Sequence, residues 1–503
     1  MSEYRPNQRN TTRAYYPLDI NQFVSQFLRS LQDRNTKAAS ETAVGSMIIN
    51  SFQHFVIGSG LEPQSSPENS ILKWTEEVRS KFMAQAESLF RAYASSKRID
   101  FYGKNNFNQL QSIAFRNCLV DGDALMHRSY RRKTKDSNYD PFVQILSGRW
   151  VRNPYGKEDT KELIAGVKFD KSGREIGYCI AQTSDNLADS FDSITVSKIN
   201  AKTGFEEYDL IRLDLREANQ VRGIPVLTPV LEDIFDLETF KAAYKSKAAT
   251  QALFTGVITS EKDAPTPAVS TMDTIRGLNN APAEEDYSGE VNDVQLGTGN
   301  IIQLAAGEKF EMAESKVPAT DFGQFVESEL SHITAGTGNG GIAYEMVLQK
   351  YNNNYSASRA TIAGQEKKFD NLRSVFEVQF CNPIWKQVID WGIRTGRIEA
   401  PGYLEGDWMY KDAVLACTWI GPAPINIDPK KEVEAHIIAI NAGLETKEQA
   451  CRELFQTDYE ETVERLKRET DLESNVLGKQ MQASVDNTQN DTTDEEGQDE
   501  KEE

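Results

Sequence analysis

Residues 336–358 read GTGNGGIAYEMVLQKYNNNYSAS, and the stretch behind them, as far as Arg397, carries a helical period. From Ile362 the apolar residues recur at Phe369, Leu372, Phe376, Phe380, Ile384, Val388 and Trp391. Spacings of mostly three and four place them on one buried face of a helix. About 36 helical residues would span roughly 50 Å. The mean globular helix has only about 11–12 residues. Pro383 falls inside this helix, where it removes a hydrogen bond and its ring crowds the preceding turn, so the sequence predicts a kink near Gln379–Asn382. The Gly/Asn-rich segment ahead of the helix reads as a mobile polar loop. A long strut behind such a loop suits a mechanical part better than a catalytic pocket.

Outward from there, residues 1–18 are polar and read as a flexible arm. Two helices are expected between Asn21 and Gly60, with apolar positions at Phe23, Phe27, Leu28 and Leu31, then Met47, Ile48, Phe52 and Phe55. The Gly58-Ser59-Gly60 turn closes the second. Further helices are expected over Ser70–Ser95 and Asn106–Val120. From Ala124 to Leu215 the pattern changes. MHRSY, FVQIL, AGVKF, IGYCIAQ and YDLIRLDL are short β-prone runs between Gly, Asp, Asn and Ser turns. A helix from about Thr228 to Gln251 follows Pro225. Residues 253–315 read as a small strand-containing insert with a Pro/Ala/Gly-rich excursion. A short helix over Asp321–Ala335 leads into the opening loop. Helices near 429–442, 446–455 and 458–472 complete the ordered part. The last thirty residues hold few large apolar side chains and cannot offset their ordering entropy, so they are expected to be disordered. The fold class is α+β: a mainly helical body with a β-rich part and a small α/β insert.

The chain has 503 residues and a formal net charge of −20. Eleven Asp/Glu and two Lys lie from Asp471 onward, so the tail carries −9 of that charge. Such a balance does not suit a conventional nucleic-acid binder, which neutralises phosphates with Lys and Arg. Five scattered cysteines and four scattered histidines give no ligand spacing for structural zinc and no disulfide framework. No metal and no cofactor is expected. The first residues lack an apolar signal region, and no run approaches a membrane span.

Enzymatic motifs are missing as well. The glycines of 336–341 are not followed by Lys-Ser/Thr, and GxSxG and HExxH do not occur. Asp121 and Asp123 could pair around a metal, but a turn after a helix is the stronger reading. Glu284, Glu285 and Asp286 read as a solvated charge run. Arg128, Arg131, Arg132, Lys133 and Lys135 form a basic cluster that could meet phosphate, an acidic partner or only water. Lys241, Lys245 and Lys247 project from one predicted helix. Lys241 and Lys245 share a face, where like charges cost stability unless DNA or an acidic neighbour faces them. No catalytic residue is assigned, and the chain is not expected to be an enzyme.

Six segments in order resemble the phage portal proteins of the lambda type. They are FVIGSGLEPQ (Phe55–Gln64), IDFYGKNNFNQLQSIAFRNCLVDGDAL (Ile99–Leu125), VKFDKSGREIGYCI (Val167–Ile180), VRGIPVLTPVLEDI (Val221–Ile234), NNNYSASRATI (Asn352–Ile362) and TWIGPAPINIDPKKEVEAHIIAINAGLETKEQA (Thr418–Ala450). The resemblance implies a homo-oligomeric ring, usually of twelve subunits, at a capsid vertex of the virion, assembled in the host cytoplasm. It implies double-stranded DNA passing non-specifically through a channel during packaging and ejection. It also implies contacts with the large terminase subunit, a head-completion or adaptor protein and the major capsid protein. By position, 1–20 would be a flexible arm and 21–226 the wing. Residues 227–252 and 319–335 would be the two stem helices around a clip at 253–318. Residues 336–355 would be a tunnel loop, 356–428 the wing's long helix and its return, 429–472 the crown and 473–503 an acidic tail. Asn339, Tyr344, Gln349, Lys350, Tyr351, Asn352, Asn353 and Asn354 would then face DNA, with Lys241, Lys245 and Lys247 on the stem. A loop touching sliding DNA should hold few cations, because many phosphate contacts repeated round a ring would stop translocation. Lys350 is the loop's one basic residue. The competing readings are a minor capsid or scaffolding protein, disfavoured by the strands at 124–215, and a packaging nuclease or ATPase, disfavoured by the missing motifs.

Overall fold

A computed structural model describes residues 19–134, 137–181, 193–253, 257–260, 308–311, 322–350, 355–422, 429–455, 457, 459 and 462–474. The expected flexible arm, the Pro-rich excursion and the acidic tail lie outside them. The chain divides into two compact units, residues 1–232 with 333–503, and residues 233–332. The fold is α+β, as its sequence pattern predicts.

In the larger unit, helices α1 (Ile20–Glu41) and α2 (Ala43–Val56) meet at Thr42, whose hydroxyl accepts the Gly45 N–H as an N-cap. The helix expected over 70–95 is two helices, α3 (Asn69–Leu72) and α4 (Glu76–Ala94). The break sits at Lys73, whose φ is +52°, and the Asn69 side chain accepts the Trp74 N–H at 2.9 Å. That turn sets the Trp74 ring on Phe82, 5.3 Å between centroids. Helix α5 (Phe107–Asp121) opens with a capping box between Asn106 and Gln109.

Strands β2 (Asp123–Thr134), β3 (Ser137–Ser147) and β8 (Tyr208–Arg212) form one antiparallel sheet in the order β3-β2-β8. Strands β4 (Leu163–Ile164), β5 (Val167–Phe169), β6 (Glu175–Ala181) and β7 (Ser193–Ser197) form another in sequence order. Between them lies a core of Leu125, Val151, Val167, Tyr178, Leu210 and Val221. A third, two-stranded sheet pairs β1 (Glu62–Ser65) with β11 (Cys417–Ile420), across most of the chain's length. The sequence reading assigns neither of these two strands. Each is four residues long and lacks the alternation that marks a strand.

The long helix runs as α-helix over Tyr355–Phe376, as a π-helical turn over Glu377–Cys381 and again as α-helix over Asn382–Arg394. Ile362, Phe369, Leu372, Phe376, Phe380, Ile384, Val388 and Trp391 are all buried, as the period predicts. They meet aromatic rings from several helices. Phe369 contacts Phe52 and Phe55, and Phe376 contacts Phe115. Phe380 stacks on Phe107, and Trp385 lies against Phe90. Each such buried ring contributes on the order of 1.5–3 kcal/mol, so this spine is the element on which α2, α4 and α5 pack.

The smaller unit contains most of α6 (Leu231–Leu253), most of a helix α7 (Phe322–Gly336) and the antiparallel pair β9 (Val257–Ser260) and β10 (Glu308–Glu311). Helix α6 begins three residues later than expected, after a 3-10 turn at Thr228–Val230 that carries Pro229. The two helices meet through rings. Tyr244 stacks on Phe322 at 3.9 Å, and Phe240 packs on Phe322 and Phe325.

Candidate functional site

The segment after α7 is held more firmly than its composition suggests. The Gly338 N–H donates to the Val226 carbonyl at 2.8 Å, and the Ile342 N–H donates to the Thr334 carbonyl at 3.0 Å. The Thr337 hydroxyl donates to that same Thr334 carbonyl at 3.0 Å. From the spine, Lys368 Nζ reaches the Gly340 carbonyl at 2.7 Å. Gly341 is required here: its φ is +71°, and a Cβ would sit 2.3 Å from the Ala335 carbonyl oxygen.

The expected polar loop over 336–355 is therefore corrected in its middle. Tyr344–Leu348 form a short helix, α8, that packs against α2. Its cause is packing against the body: Ile342, Met346 and Val347 are buried. Asn339, at φ +59°, and Tyr344 are half-buried. Gln349, at φ +54°, and Lys350 are exposed, and the Lys350 N–H closes α8 onto the Glu345 carbonyl. Of the expected DNA-facing residues, these four lie on the described part of the segment. Tyr351, Asn352, Asn353 and Asn354 lie outside the described residues. Lys241, Lys245 and Lys247 are on α6, where Lys241 pairs with Glu238 at 3.3 Å and Lys245 and Lys247 are exposed.

Pro383 stands at the start of the second spine segment, directly behind the π-helical turn. A proline has no N–H to give the carbonyl four residues back, here Gln379, and its ring crowds it. The ladder shifts by one residue, and the Asn382 N–H donates to the Glu377 carbonyl. The widened turn has a structural use. Gln379 Oε1 accepts the Arg212 N–H at 2.7 Å while Nε2 donates to the Arg212 carbonyl at 2.9 Å, so the side chain continues the edge of β8. Arg128 Nη1 donates to the Pro383 carbonyl at 3.0 Å, and its Nη2 pairs with Asp209 at 2.8 Å. Arg128 is thus a buried joint between sheet and spine, not part of a solvated basic cluster. Burial raises the Glu377 carboxyl to about 7, opposed by Arg373 and assisted by Asp370.

The residue that sequence reasoning missed is Arg222, in VRGIPVL. Its guanidinium is 1% exposed, and all five of its N–H groups are used. Two go to Asp123, at 2.5 and 2.7 Å. The other three go to the carbonyls of Val151, Ala165 and Gly148, at 2.7, 2.8 and 2.7 Å. Asp123 belongs to the DGD turn, so the turn reading is right but leaves out what the turn holds. Gly122 and Gly223 touch, and a Cβ on Gly223 would lie 1.9 Å from the Gly122 carbonyl oxygen. The same short segment bonds to α1 and α5. The Val221 N–H donates to Asn21, the Leu227 N–H to buried Asn35, and the Val226 N–H to the Leu119 carbonyl. Residues 221–227 therefore clasp α1, α5, the sheet and the loop at 338. Beside them Asp121 is pushed up to about 6 by burial, against the pull of Ser147 and Arg149.

The five cysteines are free, and three of them, Cys118, Cys179 and Cys381, are buried. No group of three His, Cys, Asp or Glu that could hold a metal occurs among the described residues. No described helix is long and apolar enough to cross a membrane.

Comparison with known proteins agrees with the resemblance of the six segments. Portal protein B of Escherichia phage lambda is 23% identical over 437 residues, covering 82% of this chain and 79% of that protein. The portal protein of Escherichia phage N15 is 23% identical over 443 residues, covering 82% and 80%. Among solved structures, a virion of a native gene transfer agent particle aligns at 10% identity with a TM-score of 0.42, over 84% of this chain and 92% of that one. The neck of the native particle, computed with C12 symmetry, aligns at 10% identity with a TM-score of 0.36, over 78% and 94%. The family described as phage portal protein, lambda family, matches residues 7–373, and this chain belongs to it.

Proposed function

We propose that this portal protein forms a ring whose central channel conducts double-stranded viral DNA into the capsid and out again. The observation that supports the reading is the anchoring of the start of the 337–350 segment, between α7, the 221–227 segment and the spine. The Val226 and Thr334 carbonyls hold its start, and Lys368 of the spine holds Gly340. A strut-mounted loop with Lys350 as its only cation suits a surface past which DNA slides. Such a surface touches phosphates weakly and does not read bases. Asn339, Tyr344, Gln349 and Lys350 face the DNA in this reading, with Tyr351, Asn352, Asn353 and Asn354 completing the loop. Lys241, Lys245 and Lys247 lie on the stem.

The parts follow in order. Residues 21–226 and 356–428 form the wing, 227–252 and 319–335 the stem, 253–318 the clip, 336–355 the tunnel loop and 429–472 the crown. The clip docks the large terminase subunit during packaging and a head-completion protein afterwards, while the wing meets the major capsid protein at the vertex. The chain guides DNA and does not transform it. Negative-stain microscopy of the purified protein is the first test. Rings of uniform subunit number with a central hole are expected; monomers or filaments would overturn the reading. A second test replaces Asn352, Asn353 and Asn354 with proline. Rings should persist while DNA packaging or retention falls, and unaltered packaging would remove the loop's role.

A further inference from the structure

The loop at 97–105 is an exposed feature to which the channel reading gives no task. Its sequence, KRIDFYGKN, mixes cations and aromatics. Phe101 and Tyr102 are 45% and 54% exposed, and Tyr139, farther along β3, is 56% exposed. Lys97, Arg98 and Lys104 are exposed beside them. Lys97 and Lys104 carry no ion pair among the described residues. Arg98 reaches Asp140 at 3.5 Å.

This surface is built, not loose. Asp100, 1% exposed, accepts the Tyr102 N–H at 3.1 Å, the Lys104 and Asn105 N–H groups at 2.9 Å each and the Asn105 amide at 3.1 Å. Arg131 Nη2 donates to the carbonyls of Asp100 and Phe101 at 2.6 and 3.2 Å. The Phe101 N–H donates to the Val143 carbonyl, and Gln144 donates to the Tyr102 hydroxyl at 2.9 Å. Tyr139 pairs in backbone register with Arg132. Rigid, exposed aromatics with flanking Arg and Lys lose little entropy on binding, which is the character of a protein-recognition surface.

We propose that this surface docks the acidic C-terminal segment of the chain itself, residues 476–503, from its own subunit or a neighbouring copy. The chemistry matches on both counts. Val476, Leu477, Met481 and Val485 offer apolar side chains to the rings. Residues 486–503 carry nine Asp/Glu against one Lys. Residues 1–475 carry a net charge of −13, so they repel such a segment over most of their surface and attract it where cations gather. The tether makes weak contact sufficient, because the segment is held at an effective concentration near the millimolar range. Extended, its 28 residues reach up to about 100 Å. Duplex DNA is the poorer occupant, because its stacked bases give exposed aromatic rings nothing to stack on.

The test uses the full-length protein with a photo-cross-linking benzoylphenylalanine in place of Tyr102. Irradiation and peptide mapping should recover cross-links to residues 476–503. Their yield should fall at least about fivefold in roughly 0.5 M salt, which screens exposed charges. The same fall is expected in Lys97→Glu/Arg98→Glu/Lys104→Glu. A second variant leaves the body untouched: Asp494→Asn, Glu495→Gln, Glu496→Gln, Asp499→Asn and Glu500→Gln together should produce the same loss. Mixing isotopically heavy and light chains separates a subunit's own tail from a neighbour's, and either source supports the proposal. Cross-links confined to other residues, a yield indifferent to both variants, or displacement of the tail by added duplex DNA would each overturn it.

Discussion

Two buried aspartates in the larger unit show how differently one residue type can be accommodated. Asp123, fully buried, meets the guanidinium of Arg222, which is itself 1% exposed. Asp100, equally buried, meets only backbone N–H groups and one side-chain amide. The first has a cation for a partner and lies where α1, α5, the sheet and the loop at 338 converge. The second has dipoles for partners and lies beneath a loop open to water. A buried ion pair adds little net stability over apolar packing, yet half of one is costly, because the remaining charge is left without a partner in a dry core. Stranded amides at a loop can turn to water instead.

The contrast is sharpest in Asp123→Ala. Removal strands the Arg222 guanidinium, and a loss of about 3–5 kcal/mol is expected in chemical or thermal unfolding. Asp100→Ala should cost less, about 2–3 kcal/mol, with protease cutting at 100–105 appearing before global unfolding. Equal costs for the two would break the comparison. Gln379→Ala removes both bonds to Arg212, and about 1–2 kcal/mol is expected, since the end of β8 is only partly buried.

Glu377 extends the comparison to a third case. Among the described residues its carboxyl makes no hydrogen bond, and burial raises it to about 7. The folded protein therefore holds this proton more tightly than the unfolded chain does. The contribution is fully present below the ordinary glutamate range and is lost as pH rises through about 7. Glu377→Gln should flatten that part of the stability–pH curve, so the variant gains on the parent between about pH 4.5 and 7. This is the smallest of the four effects, because the side chain remains partly open to solvent. Parallel curves for parent and variant would show that Glu377 is solvated like an ordinary surface carboxyl.

The legibility of the sequence varied with the range of the forces involved. The spine was readable because its eight apolar positions repeat mostly every three or four residues, and each of them is buried. The strands at 126–130, 142–146 and 208–212 were readable from composition and flanking turns. Helix 344–348 was not, because Gly, Tyr and Asn around it signal a loop, and only burial of Met346 and Val347 against the body overrides that signal. The sequence left Arg128 open between a partner and solvent for a related reason: a strand position alone does not tell whether its face is covered. Arg222 carried one faint signal, a cation inside the apolar run VRGIPVL.

By itself, then, the sequence determined the mixed α+β class, the spine, most helices and the family resemblance. Those properties depend on local periodicity and on ordered motifs, and both are written along the chain. The tertiary structure decided which charges are buried and with whom, how β1 finds β11, and which part of a glycine-rich loop is held. Those depend on groups far apart in sequence meeting in one place. Desolvation and hydrogen-bond satisfaction act only once they have met.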